Sequence, residues 1–258
     1  MFRLPKPLAR LAAAALAASA LPGAPANAQT QEAQSERPAL GVFTTMPLTW
    51  GEAPDIGTLL AGGVPPHWAR AEIERTYEWR PLDILGQPES GFGLDDIDVL
   101  LLAQSRGLSG AENVALDNWV RAGGRVLVLA DPMMTGDSLY NFGDRRRPHD
   151  VTLLSPILAR WGLAMQFDEA DSQRTLSADF DGTPVPVALP GHLMSREAAG
   201  GGQADCVIAE DRISARCEIG AGSATVFADA ALLDYAALPD AGRLAALDAL
   251  LDCAFAPD

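Results

Sequence analysis

Histidine is scarce in this chain, with only His67, His149 and His192 in 258 residues. There is no H-E-x-x-H, no paired C-x-x-C and no local His–carboxylate cluster, so no metal centre is expected. No G-x-G-x-x-G and no Walker A sequence occurs, which removes the signals for dinucleotide and ATP binding, and no cofactor is expected. Aromatic residues make up 6% of the chain, too few for a base-stacking platform. Basic residues are few as well, 19 against 34 acidic, for a net charge of −15. That balance disfavours nucleic acid and anionic membrane surfaces as direct partners, since both are polyanions. Its simplest role is solubility.

Long apolar runs are also missing, with one short exception at the start. Arg3, Lys6 and Arg10 form a basic leader, residues 11–21 are Ala-rich and apolar, and Ala26-Asn27-Ala28 has the small-x-small form of a cleavage site. The apolar run is too short for a membrane span, so residues 1–28 read as a secretory signal rather than an anchor. The mature chain is expected to start at Gln29, in the periplasm or outside the cell. Removing Arg3, Lys6 and Arg10 leaves 16 basic against 34 acidic residues, a net −18. Residues 29–38 (QTQEAQSERP) lack apolar periodicity and read as a disordered linker. Residues 39–258 then form a single domain, and 48% hydrophobic residues suffice for a large core.

What the chain does contain is concentrated between Asp96 and Pro132. Residues 98–103 (DVLLLA) and 125–130 (RVLVLA) are unbroken apolar runs of strand length, as in a parallel sheet covered on both faces. Between them Ser109 and Glu112 are spaced as a capping box, and Gly123-Gly124 closes the helix that follows. Val114, Leu116, Trp119 and Val120 are expected to face the sheet. Further strands are expected near residues 40, 82, 165 and 226, and helices over 155–161 and 243–255. Residues 174–189, with Asp181-Gly182 at the turn, and residues 205–218 read as antiparallel hairpins. The second hairpin sets Cys206 opposite Cys217 if Asp211-Arg212 is its turn. A disulfide or two unpaired core thiols then follow, with an oxidising compartment favouring the former.

The central stretch resembles the soluble domain of GldG-like auxiliary proteins of ABC-type transport systems, which is related to a domain of intraflagellar transport subunits. The similar pieces are residues 99–103, Leu108-Ser109, residues 112–120, Gly123-Gly124-Arg125 and Asp131-Pro132, with weaker similarity over 153–162 and 220–229. The resemblance implies an open, mainly parallel α/β sheet with helices on both faces, of the flavodoxin or class I glutamine amidotransferase type. It usually comes without the catalytic residues of those enzymes.

Candidate site residues cluster where the predicted strands end. A nucleophile in an amidotransferase-like fold sits on a tight elbow after a central strand. Here that position reads Gln104-Ser105-Arg106-Gly107, with no Cys and no G-x-S-x-G. Asp131 and Asp229 each end a strand and would point into one crevice, either as a polar site or as ordinary loop caps. The long irregular stretch 133–150 leaves the same edge, where open α/β sheets bind ligands. It carries Arg145, Arg146, Arg147 and His149. These either contact a partner or neutralise neighbouring carboxylates. Three functions are consistent with this pattern. They are a non-catalytic exported domain that binds a transport component or another periplasmic protein, a periplasmic hydrolase using Ser105 or the strand-end carboxylates, and a solute-binding protein.

Overall fold

The computed structural model describes residues 37–86, 89, 91–201, 203–234 and 238–256. The expected signal at 1–28 and the linker up to residue 36 lie outside the described residues; Arg37 and Pro38 are exposed. In chain order the elements are β1 (Ala39–Thr44), α1 (Ile56–Leu60), α2 (Trp68–Ile73), β2 (Glu78–Pro81), β3 (Val99–Ala103), α3 (Gly110–Arg121) and β4 (Arg125–Leu129). They continue with α4 (Ser155–Arg160), β5 (Leu163–Gln166), α5 (Glu169–Ser172), β6 (Ser177–Phe180), β7 (Thr183–Pro186) and β8 (His192–Ser195). The chain ends with β9 (Asp205–Ile208), β10 (Ser214–Ile219), β11 (Gly222–Phe227) and α6 (Ala241–Phe255).

Seven strands form the main sheet in the order β2-β1-β3-β4-β11-β10-β9. The pairings from β2 through β11 are parallel, and β10 and β9 continue antiparallel. This is an α/β fold with a mainly parallel sheet and antiparallel hairpins in its C-terminal part. The unbroken apolar strands are explained by two-sided burial. Leu101 and Leu127 face a core built with α2, α6 and the β6–β7 hairpin. Leu100, Leu102 and Val128 face a second core built with α3, α4 and Trp161. Each β3 residue from Leu100 to Ala103 has no exposed surface.

The α3 crossover follows its sequence signals. The Ser109 hydroxyl accepts from the Glu112 amide, and the Glu112 carboxylate accepts from the Ser109 amide. Gly124 closes the turn against Trp119, whose ring would lie 2.3 Å from any Cβ placed there. One expected contact is corrected: Val114 is 51% exposed, while Leu116 and Val120 are buried in the core on that face of the sheet and Trp119 packs against it. The buried Asp117 ties α3 to α4 through Arg160 and the Trp161 indole, and also pairs with Arg121 within α3. Burial raises its pKa, and hydrogen bonds from Arg121 and Arg160 more than reverse this, leaving it lowered.

The strand near 165 is a second correction. β5 pairs antiparallel with β8 in a separate two-stranded sheet instead of joining the parallel one. Only Leu163 in it is buried, so it cannot fill a position covered on both faces. The β6–β7 hairpin also stands apart, turning through Asp181 and Gly182, both at positive φ as a tight hairpin requires. In the second hairpin Cys206 lies opposite Cys217 in register, and the two sulfurs are bonded.

Burial makes an unequal test of two apolar positions. Leu101→Ala in the centre of β3 is expected to lower stability by about 2–5 kcal/mol. Val114→Asp on the exposed face of α3 is expected to change it by about 0.5 kcal/mol or less. Chemical denaturation of both variants checks the burial assignment.

Candidate functional site

Parallel β1, β3, β4 and β11 all end at one edge of the sheet, and a single residue joins three of their exits through its side chain and its carbonyl. Gln104 directly follows β3, is fully buried, and adopts φ of 38°. This is the left-handed region that non-glycine residues seldom enter. Its amide oxygen accepts from the Asp131 amide at 3.0 Å. Its amide nitrogen donates to the Asp131 carbonyl at 3.2 Å and to the His149 carbonyl at 2.7 Å. Thr45, after β1, donates its hydroxyl to the Gln104 carbonyl and accepts from the His149 amide at 3.1 Å. The elbow position is thus occupied by a structural amide. Ser105 beside it has no exposed surface, and its hydroxyl donates to the Arg106 carbonyl at 3.0 Å. Arg106 pairs with Glu112 at 2.6 Å, a contact that holds the Glu112 carboxyl down at about 2 and fastens the elbow loop to α3.

Asp131 and Asp229 occupy equivalent positions two residues beyond the in-register pair Leu129 and Phe227, and both are 1% exposed. Asp131 accepts from the Met133 amide at 2.8 Å. Asp229 accepts from the Ala231 amide at 2.7 Å and the Ala188 amide at 2.9 Å. Burial pushes Asp131 up to about 7. Burial, and then the neighbouring charge of Asp131, raise Asp229 well above the ordinary carboxylate range. The pair is therefore brought together, as two capped carboxylates that disfavour simultaneous ionisation.

Residues 133–150 form a loop whose ends are closed by bonds from the Met134 amide to the Asp150 carbonyl and from the Thr152 amide to the Asp131 carbonyl. Its middle is clamped to the loop after β1. The buried Glu52 accepts from the Ser138 hydroxyl at 2.6 Å and the Leu139 amide at 2.5 Å. The Tyr140 hydroxyl donates to the Ala53 carbonyl at 2.8 Å and accepts from the Ala53 amide at 3.1 Å. Arg146 pairs with Asp144, and Arg147 pairs with Asp150 and donates to the Tyr140 carbonyl. Arg145 is exposed and forms no ion pair among the described residues. It lines a cleft of about 460 Å³ together with Arg147, His149, Leu153 and the carboxylates Asp144 and Asp150.

Arg145, Arg147 and His149 thus share one cleft, Arg146 lies outside its lining, and Asp131 and Asp229 lie buried. His192 lies on β8, and His67 caps α2 with its Nδ1 accepting from the Ala69 amide, its pKa lowered by burial. Sequence reasoning missed Gln104, Glu52 and Tyr140 as organisers. Gln104 had one signal, an amide directly after a wholly apolar strand; Glu52 and Tyr140 had none. Among the described residues no group of three or more His, Cys, Asp or Glu is placed to hold a metal, and no helix is long and apolar enough to cross a membrane.

Residues 37–181 match the model of a family described as an ABC-type uncharacterized transport system. The chain belongs to this family. The match includes Gln104, Asp131 and the arginine loop; Asp229 and the disulfide lie beyond it. An auxiliary domain of an ABC-type transport system is the corresponding general role. No curated protein matches the chain. Among solved structures, the mmIFT52 N-terminal domain superposes with a TM-score of 0.50 at 11% identity, over 85% of this chain and 98% of that one. An exo-β-1,4-mannosidase from Opitutaceae bacterium strain TAV5 reaches 0.47 at 13% identity, over 85% of this chain and 36% of the enzyme. A β-galactosidase from Rahnella sp. R3 reaches 0.45 at 11% identity, over 86% of this chain and 32% of the enzyme. The chain spans about a third of the length of these two enzymes. At these identities the likeness concerns the fold alone.

The aspartate pair sets a pH dependence. A carboxyl whose folded pKa is raised binds its proton more tightly when folded. Its contribution to stability is greatest below the ordinary value of 3.8 and is lost as pH rises toward about 7. The unfolding free energy is therefore expected to fall between about pH 4 and pH 7 by an amount on the order of a few kcal/mol, read as a lower thermal midpoint. Asp229→Asn removes the like charge and is expected to flatten that slope. An unchanged slope in the variant would assign it elsewhere.

Proposed function

We propose that the protein is exported, loses residues 1–28, and acts outside the cytoplasm as a non-catalytic domain, residues 39–258, that binds a component of its transport system. The observation that carries this reading is the clamped loop at residues 133–150, which presents Arg145, without an ion pair among the described residues, at the cleft of about 460 Å³. Such loops at the carboxyl edge of an open α/β sheet are the usual place for ligand contact. Arg145, without an ion pair among the described residues, suits an acidic group on a partner surface. The elbow supports binding rather than catalysis, because its Gln104 side chain is committed to backbone groups and Ser105 is buried. Asp131, Asp229 and His149 support the loop in this reading, and Arg145 makes the contact, flanked by Arg146 and Arg147.

The test is co-purification of the ATPase and permease subunits of the system with the mature protein. Arg145→Glu is expected to weaken the association about tenfold and to reduce its salt dependence. Retention of both by the variant would remove the arginine loop from the interface. Export has its own check: intact mass is expected to correspond to a chain beginning at Gln29. Reduction should add two alkylatable thiols, Cys206 and Cys217, to Cys253.

A further inference from the structure

The two loops joined by Glu52 carry apolar side chains that the fold does not cover. Trp50 is 64% exposed, Leu139 is 64% exposed and Phe142 is 82% exposed. They are held in place. Leu139 donates its amide to Glu52, two residues from Trp50, and Tyr140 bonds both polar backbone groups of Ala53. Arg147 stacks 4.3 Å over the Phe142 ring, and Arg146 4.2 Å over Tyr140. A few residues further along the chain, α1 has no buried residue and exposes Ile56 and Leu60, one helical turn apart. Fixed aromatic side chains with arginine at the rim are the composition of interface hot spots.

We propose that this patch docks a linear protein segment whose apolar side chains are flanked by carboxylates. The proposal deepens the partner-binding reading and rests on it for the identity of the bound component. Area decides between a segment and a second copy of the chain. Trp50, Leu139 and Phe142 together expose on the order of 400 Å² of side chain, judged from the usual size of such residues. Adding Ile56 and Leu60 leaves the total below the roughly 800 Å² per partner of a stable dimer. A patch of this size on a monomer is commonly functional and fits a short segment. Charge decides the flanks. Arg145, Arg146 and Arg147 lie three to five positions after Phe142, and Arg145 lacks an ion-pair partner among the described residues.

Panning a random-peptide library against the mature protein tests this. The enriched peptides are expected to combine apolar residues with Asp or Glu. Their affinity should fall about 30-fold or more in Trp50→Ala or Phe142→Ala, as for hot-spot residues. Val207→Ser, at an exposed position on β9, should have no effect. All three side chains are largely exposed, so circular dichroism should show an unchanged fold. The proposal is overturned if no peptide is enriched, if the enriched peptides are basic, or if Trp50→Ala binds them normally. Binding to phosphatidylcholine vesicles through Trp50 would overturn it in favour of a membrane, and a dimer abolished by Trp50→Ala in favour of self-association. Transport subunits that still bind Trp50→Ala and Phe142→Ala would defeat this inference alone. Peptides that bind the patch while no subunit binds the wild type would defeat only the transport reading.

Discussion

Where several buried strands end side by side, their last backbone groups leave the ladder but not the interior. Each polar group left there without a partner costs about as much as a lost hydrogen bond. In this protein the Gln104 side chain supplies three of the missing bonds, to both polar backbone groups of Asp131 and to the His149 carbonyl. Only an amide offers an acceptor and two donors in one plane. It reaches these groups because the backbone at Gln104 turns to φ of 38°, a conformation compensated by the bonds it permits. The loop that carries the arginines is thereby fixed at its root and near its end.

The same edge shows why position in a fold does not determine chemistry. A strand-to-helix elbow on a parallel sheet can hold a nucleophile aimed at solvent. Here the elbow side chain points into the protein, Arg106 is engaged by Glu112, and Ser105 is covered. Two aspartates in equivalent positions on β4 and β11 look like an acid–base pair in sequence. In space each is capped by backbone amides of the following turn, with neither open to solvent. Polar groups that could have faced a substrate organise loops instead, and the exposed chemistry lies at Arg145 and at the exposed rings of Trp50 and Phe142.

Much of the fold was legible because its signals are local. The unbroken runs of β3 and β4, the Ser109–Glu112 box and the glycine stop define the crossover without tertiary information. The Asp181-Gly182 turn and the symmetric cysteines did the same for the hairpins. The placement of β5 was not legible, since an apolar run of four residues does not say which strand it will pair with. Val114 misled because apolar residues at helical spacing can fall just outside the buried stripe. Within the candidate site the strand-end aspartates and the arginine loop stood out in sequence. The Glu52 and Tyr140 clamp joins residues more than eighty positions apart, and no local pattern announces it.

The central claim is that the carboxyl edge is a preformed docking surface on a transport-system domain. Hydrogen exchange of the protein, alone and with the solubilised permease and ATPase subunits, measures this directly. The account predicts new protection over residues 46–60 and 133–153, with the β9 edge at the far side of the sheet unchanged. Protection confined to β9 and β10, with both carboxyl-edge loops exchanging as in the free protein, would contradict it.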